Sequence, residues 1–306
     1  MNNAEFSEAV AQLLCLPSPA CVDRVGEKVG RKEVDRYGNN VMNEPLPGDH
    51  WRQRHDRIKN QLATLADWCG MPATCEVFGL FSHLIEQPAL MRLDTGRKRQ
   101  GLVPDFKLRI PTEQGSTVQL AELKIISCSD SYYRAQNGSK VRGVDRRADK
   151  LPAEYRLKAK KVDQLGNPGV VRGPVERRLD SFGDLIKIVF GAFGEASTDT
   201  HNLITSLAEC RLRKVGLQRG RAGGEQELAI ITGQIRRRIS TTVTKANVEC
   251  LVERMQMVGP GNTALGKKRE FAQRQEESFK RERRAAWQQR IEGTQSLRKG
   301  FIKTTV

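Results

Sequence analysis

Apolar residues recur at helical spacing over the first part of the chain. From Asn3 to Leu14 the set Phe6, Ala9, Val10, Leu13 and Leu14 predicts a helix. A charged stretch containing Pro and Gly then reads as loop to about Asp49. A second helix is expected from Trp51 to Cys69, with Ile58, Leu62, Leu65 and Ala66 on one face and Gly70 as its stop. The more apolar segment Ala73 to Gln87 reads as a third helix ending at Pro88.

Past Arg97-Lys98-Arg99 the period switches from 3.6 to 2. Phe106, Leu108 and Ile110 alternate with Asp105, Lys107 and Arg109, the pattern of a half-buried strand. Turn residues fill Pro111 to Ser116. Thr117 to Ile126 then reads as a second strand, Leu123 and Ile125 facing one way and Glu122 and Lys124 the other. So short a connection predicts antiparallel pairing.

Tyr132 to Arg147 reads as a polar, basic loop, and a helix is expected from Pro152, where a proline at the first helical position costs nothing, to Gly166. The apolar run Leu185 to Phe193 fits either a strand or a buried helix. Helices follow at about Thr198 to Val215, Glu225 to Met257 and Lys267 to Glu292. The Gly- and Arg-rich stretch Arg219 to Gly224 suggests a boundary near Gly216. The expected organisation is an N-terminal helix and loop extension over 1–48, a core over 49–215 and a basic helical region over 216–306, with no internal repeat.

Composition adds charge to this outline. Lys and Arg outnumber Asp and Glu by 52 to 36, a net of +16 with pI ≈ 9.8, so polyanions should be attracted over a long range. Nucleic acid is the expected partner, with DNA preferred. A membrane partner is not expected: no run approaches the ~20 apolar residues of a span, and the basic stretches lack an apolar face rich in Trp and Phe. Without a basic-then-apolar leader pattern the expected address is cytoplasmic or nuclear, not secreted. Seven cysteines with no C-x-x-C pair argue for reduced thiols, and the four histidines do not join them at zinc-ligand spacing.

The chemistry concentrates on the predicted hairpin. Phosphodiester hydrolysis needs charge neutralised on the reacting phosphate and a water turned into a nucleophile, and carboxylates holding Mg²⁺ supply both. Asp105 and Glu122 are the natural ligands. Alternation projects Glu122 and Lys124 from one face while Leu123 turns its side chain inward and offers its carbonyl to the metal. Lys124, beside the metal, would orient the attacking water and stabilise charge on the phosphate oxygens.

Pro104-Asp105 followed by Glu122-Leu123-Lys124 resembles the PD-(D/E)xK nuclease superfamily. The resemblance covers about Ala73 to Val215. It implies a restriction-endonuclease-like α/β fold, a mixed central sheet flanked by helices, here with helical N- and C-terminal extensions. It also implies Mg²⁺ or Mn²⁺ dependence and a further acidic ligand from the helix before the first strand, for which Glu86 is preferred over Glu76. A Tyr, Lys or Gln from the following helix is implied near the scissile phosphate, with Tyr155, Lys158 and Gln164 as candidates.

Residues Tyr132 to Arg178 hold 13 basic and 5 acidic side chains. Charge runs on helices are usually solvated faces. This one follows the presumed site directly, and Arg142, Arg146, Arg147, Lys150, Tyr155, Arg156, Lys158, Lys160 and Lys161 are expected to meet the phosphate backbone. Tyr132 and Tyr133 could stack on bases or pack locally. Gly191-Ala192-Phe193-Gly194 completes no phosphate-binding fingerprint and reads as a turn or tight packing, while His50 and His55, five apart, are not a one-face metal pair. The expected function is a metal-dependent DNA nuclease. The alternative is a non-catalytic nucleic-acid-binding protein or ribonucleoprotein or mobile-element scaffold of the same fold.

Overall fold

The computed structural model describes residues 1–46, 48–77, 80–85, 102–112, 114–127 and 142–258. In chain order these form α1 (Asn3–Leu13), a 3₁₀ turn (Val22–Arg24), β1 (Lys28–Val29), β2 (Lys32–Glu33), α2 (Asn39–Asn43) and α3 (His50–Cys69). Next come β3 (Ala73–Cys75), a 3₁₀ turn (Ser82–Leu84), β4 (Phe106–Thr112), β5 (Gly115–Ile125), α4 (Gly143–Gly166), α5 (Pro174–Asp180), β6 (Ile186–Phe190), α6 (Thr198–Lys214) and α7 (Gly224–Met255). The expected Lys267 to Glu292 helix lies outside the described residues.

The alternating run after Pro104 does form a hairpin, with Phe106 opposite Ala121 and Thr112 opposite Gly115. Four strands are ordered β3-β4-β5-β6, antiparallel except for the parallel β5–β6 pair. A parallel neighbour requires a crossover, and α4 and α5 supply it. The apolar run Leu185 to Phe193 is therefore resolved as a strand.

Helices cover both faces of this mixed sheet. On one side Ile58, Leu62 and Leu65 of α3, Leu203 and Leu207 of α6, and Ile231, Ile235 and Ile239 of α7 enclose Phe106, Leu108, Leu123 and Ile188. On the other, Tyr155, Ala159 and Val162 of α4 and Val175 and Leu179 of α5 cover Leu120, while Val144, Ala148 and Leu151 cover Ile126 and Val189. The Glu122 face of β5 therefore meets α4 rather than water. Gly216 marks no break in packing, since α7 beyond it shares one apolar cluster with α3 and α6.

Three other expectations change. The segment from Ala73 is an edge strand, not a helix: Ala73 to Cys75 pair with Leu108 to Phe106, and Glu76 leaves the strand at φ 45°. Sheet pairing outweighs the local apolar spacing there. The helix expected from Pro152 begins at Gly143, because Val144, Ala148 and Leu151 gain burial that offsets the missing Pro152 N–H. The stretch before Asp49 folds as well. Cys21, Val29, Val34 and Val41 pack on Leu251, Met255 and Val258, and buried Arg254 donates to the carbonyls of Val41 and Glu44.

Helix α1 is where expected, closed by an Asn2–Glu5 capping box. It buries Ala9, Ala11 and Glu8, however, and exposes Phe6, Leu13 and Leu14. Glu8 accounts for the rotation by accepting hydrogen bonds from Ser18 Oγ at 2.7 Å and the Ala20 N–H at 3.2 Å. The cysteines of the described residues are free thiols, and no helix among those residues is long and apolar enough to cross a membrane.

Candidate functional site

Hairpin register builds the site. Phe106 opposite Ala121 puts Asp105, one residue earlier, beside Glu122 and Leu123, one and two residues later. Asp105 Oδ2 accepts the Leu123 N–H at 2.9 Å, tying the start of β4 to β5. On its other flank the Asp105 carbonyl accepts the Glu76 N–H at 2.9 Å. Asp105 is thus fixed by the strands on both sides.

His55 enters from α3. Its Nε2 lies 3.2 Å from Asp105 Oδ2 and 3.3 Å from the Leu123 carbonyl, and its Nδ1 is 3.4 Å from Asp56 Oδ1. Burial opposes charge on this ring, but the hydrogen bonds to Asp105 and Asp56 outweigh it and raise the imidazole to about 9. Asp105 responds in the opposite sense: burial pushes its carboxyl up, and the His55 bond more than compensates, leaving it below its ordinary value. Together these groups set the His55 ring beside a carboxylate and a carbonyl oxygen.

Glu122 points away from the Leu123 side chain and toward α4, only 4% exposed. Tyr155 of α4 donates its hydroxyl to one carboxylate oxygen, and Lys124 holds the other. Burial, with the Asp105 charge behind it, raises the Glu122 carboxyl against the pull of Lys124. Leu123, between them, carries its side chain into the core as alternation requires.

A second charged group braces α3 against β3. Lys59, almost fully buried, donates to Asp56 Oδ1 and Glu76 Oε1, both at 2.7 Å. Burial disfavours the ammonium but its two carboxylates raise it above its ordinary value. Burial likewise opposes the Asp56 charge, and the His55 and Lys59 bonds overcome it and lower that carboxyl to about 2. Glu76 therefore sits beside Asp105 through its backbone while its side chain serves Lys59. Glu86 lies outside the described residues.

The expected phosphate-facing residues divide. Tyr155 does not face solvent: at 3% exposed it belongs to the core beneath Glu122. Arg142 pairs with Asp145 at 2.8 Å and Arg147 with Glu154 at 2.9 Å, which neutralises part of their charge. Arg146 is half-buried and Lys150 exposed on the same helix, and Arg156, Lys158, Lys160 and Lys161 are exposed further along it. Lys158 lies 5.5 Å over the Tyr155 ring. Tyr132 and Tyr133 fall outside the described residues.

His55 is the residue that sequence reasoning passed over. It stands three positions before Ile58 and seven before Leu62, so it opens the apolar stripe of α3 with a polar ring. That placement was the available signal, obscured by pairing His55 with His50. Tyr155 gave a similar one, since Leu151, Tyr155, Ala159 and Val162 lie on one helical face.

Oxygen donors from Asp105, Glu122 and Leu123 suit a hard divalent cation such as Mg²⁺ or Mn²⁺, while the His55 imidazole is the softer donor beside them. Among the described residues no three His, Cys, Asp or Glu side chains already stand together as a metal cluster. The donors assembled at His55 are one carboxylate and one backbone carbonyl, with Glu122 engaged by Lys124 and Tyr155 alongside. No protein-family model, curated protein or solved structure matches the chain.

Proposed function

We propose that this chain is a metal-dependent nuclease of the PD-(D/E)xK class with a restriction-endonuclease-like core, acting on nucleic acid with DNA preferred. One observation carries the reading: His55 Nε2 lies within 3.2 and 3.3 Å of Asp105 Oδ2 and the Leu123 carbonyl, on the strand that also bears Glu122 and Lys124. Asp105, the Leu123 carbonyl and Glu122 would hold the cation, with His55 able to join them only once its ring gives up its proton. When bound, a divalent cation neutralises charge on phosphoryl oxygens and acidifies water. Lys124, one-third exposed at the mouth of the site, offers its ammonium to a phosphate oxygen or to the attacking water.

The remaining residues prepare that surface. Asp105 is kept ionised by His55, and its acceptor geometry is fixed by the Leu123 N–H. Tyr155 holds Glu122 from behind, leaving Lys124 as the partner nearer solvent. The exposed bases of α4 supply the cationic wall for a phosphate backbone.

Cleavage of plasmid and linear DNA with Mg²⁺ or Mn²⁺, against EDTA, tests the reading. Asp105→Ala and Lys124→Ala should each lower the rate by about 10²-fold or more. Cleavage by both variants at the parental rate would sink the assignment. A second reading, a nucleic-acid-binding protein without catalysis, is favoured by the engagement of both Glu122 oxygens. It predicts metal-independent binding and no cleavage under any of these conditions.

A further inference from the structure

Arg54, the residue before His55, stands between two hollows. One, of about 300 Å³, lies against the candidate site and is lined by Trp51, His55, Lys124 and Ile125 together with Arg54 and Ser127. The other, of about 280 Å³, lies between the N-terminal lobe and the core, with Tyr37, Met42, Phe193 and Leu251 among its walls. Arg54 and Ser127 also line this second cavity, so the two are neighbours across those side chains.

The second cavity is built rather than incidental. Asn247 of α7 is buried, accepts from Arg54 Nη1 at 3.4 Å and donates to the Ala192 carbonyl at 3.3 Å. One amide thereby fixes both a guanidinium and the turn that carries Phe193. That turn is closed independently: the Gly191 N–H reaches the Glu195 carbonyl at 2.8 Å, the Phe193 N–H reaches Glu195 Oε2 at 3.0 Å, and Gly194 adopts φ +81°. Phe193 and Tyr37 stay 40% and 39% exposed at the cavity although both are aromatic.

We propose that this cavity receives one unstacked nucleobase of the substrate strand, with an adjoining phosphate at Arg54. The proposal rests on the nuclease reading and adds a subsite to it. Aromatic and aliphatic walls suit the faces of a planar base, since base stacking on such rings is sequence-tolerant and favourable. The volume falls near the lower limit of about 300 Å³ for small-molecule sites, enough for one ring system and too little for a duplex end. Arg54 lines both hollows, so its guanidinium lies within reach of an anion entering either, and a cationic fork of this shape matches phosphate oxygens. A strand whose base sits in one hollow then runs its phosphates past Arg54 toward His55 and Lys124.

The test uses the full chain in EDTA with single-stranded oligonucleotides carrying 2-aminopurine at successive positions. The expected result is a fluorescence change confined to one or two adjacent positions. Phe193→Ala and Tyr37→Ala, which remove exposed rings without opening the core, should abolish it and weaken oligonucleotide binding at least about fivefold. Arg54→Gln should weaken binding further, with Arg54→Lys restoring part of it. A uniform or absent response, or one unchanged in both aromatic variants, would overturn the subsite. So would displacement of the oligonucleotide by free dAMP at equal concentration, which marks a mononucleotide site. The nuclease reading fails separately: a localised, variant-sensitive response without metal-dependent cleavage keeps the base pocket, whereas cleavage without such a response removes only the pocket.

Discussion

Tyr155 donates its hydroxyl to Glu122, so a buried carboxylate is held by a residue that is itself buried away from solvent. The bond partly offsets the penalty of burying Glu122 near Asp105. Tyr155→Phe keeps the ring and removes the donor, leaving a buried acceptor oxygen unpaired at a cost of about 1–3 kcal/mol. Urea unfolding should show that loss with an unchanged slope, and any metal-dependent cleavage should shift its acidic limb to higher pH as the Glu122 carboxyl rises further.

His55 makes stability depend on pH in the absence of metal. Its folded value of about 9 exceeds the ordinary 6.5, so the protonated ring favours the folded state. That contribution is complete below pH 6.5 and disappears as pH rises through about 9. Thermal unfolding in EDTA should therefore lose several degrees across this window, and His55→Gln should flatten the dependence. An equally steep decline in the variant would show that another group is responsible.

Asp56 supplies the complementary acid limb. Its folded value of about 2 lies below the ordinary 3.8, so its contribution is present above pH 3.8 and lost as pH falls through about 2. Asp56→Asn should reduce stability at neutral pH and make acid unfolding less steep between those values. Circular dichroism against pH measures both.

Asp163, buried at the end of α4, caps the next helix with both oxygens, accepting from the Val175 N–H at 2.9 Å and the Glu176 N–H at 3.0 Å. The same carboxylate fills the space that a Cβ at Gly173 would need. Asp163→Ala should cost about 1–2 kcal/mol and Gly173→Ala should destabilise through the clash, both read by urea unfolding. Neither residue lies at the candidate site, so losses in stability should exceed losses in activity per folded molecule.

The exposed bases of α4 predict steep salt dependence of oligonucleotide binding. Reversing Arg156, Lys160 or Lys161 to Glu should weaken affinity at low salt, and each phosphate no longer neutralised should reduce the slope of log affinity against log salt by about one. Equal slopes for all three variants and the parent would remove this face from the interface.

The hairpin and the bodies of α3, α6 and α7 are legible in the residue pattern alone, because alternation and helical stripes are relations among near neighbours. That pattern also put Asp105 and Glu122 in register, since a short connection between two alternating runs leaves little freedom in their pairing. Tertiary structure decided what surrounds them. Glu122 is buried because α4 covers the face that it shares with Lys124, and His55 reaches Asp105 across 50 positions of sequence because α3 packs on the sheet. Ala73 to Cys75 became a strand because β4 offered an edge, a choice no spacing within that segment encodes. Burial and long-range pairing depend on which element covers which face, and that is a property of the assembled layers rather than of any one stretch of chain.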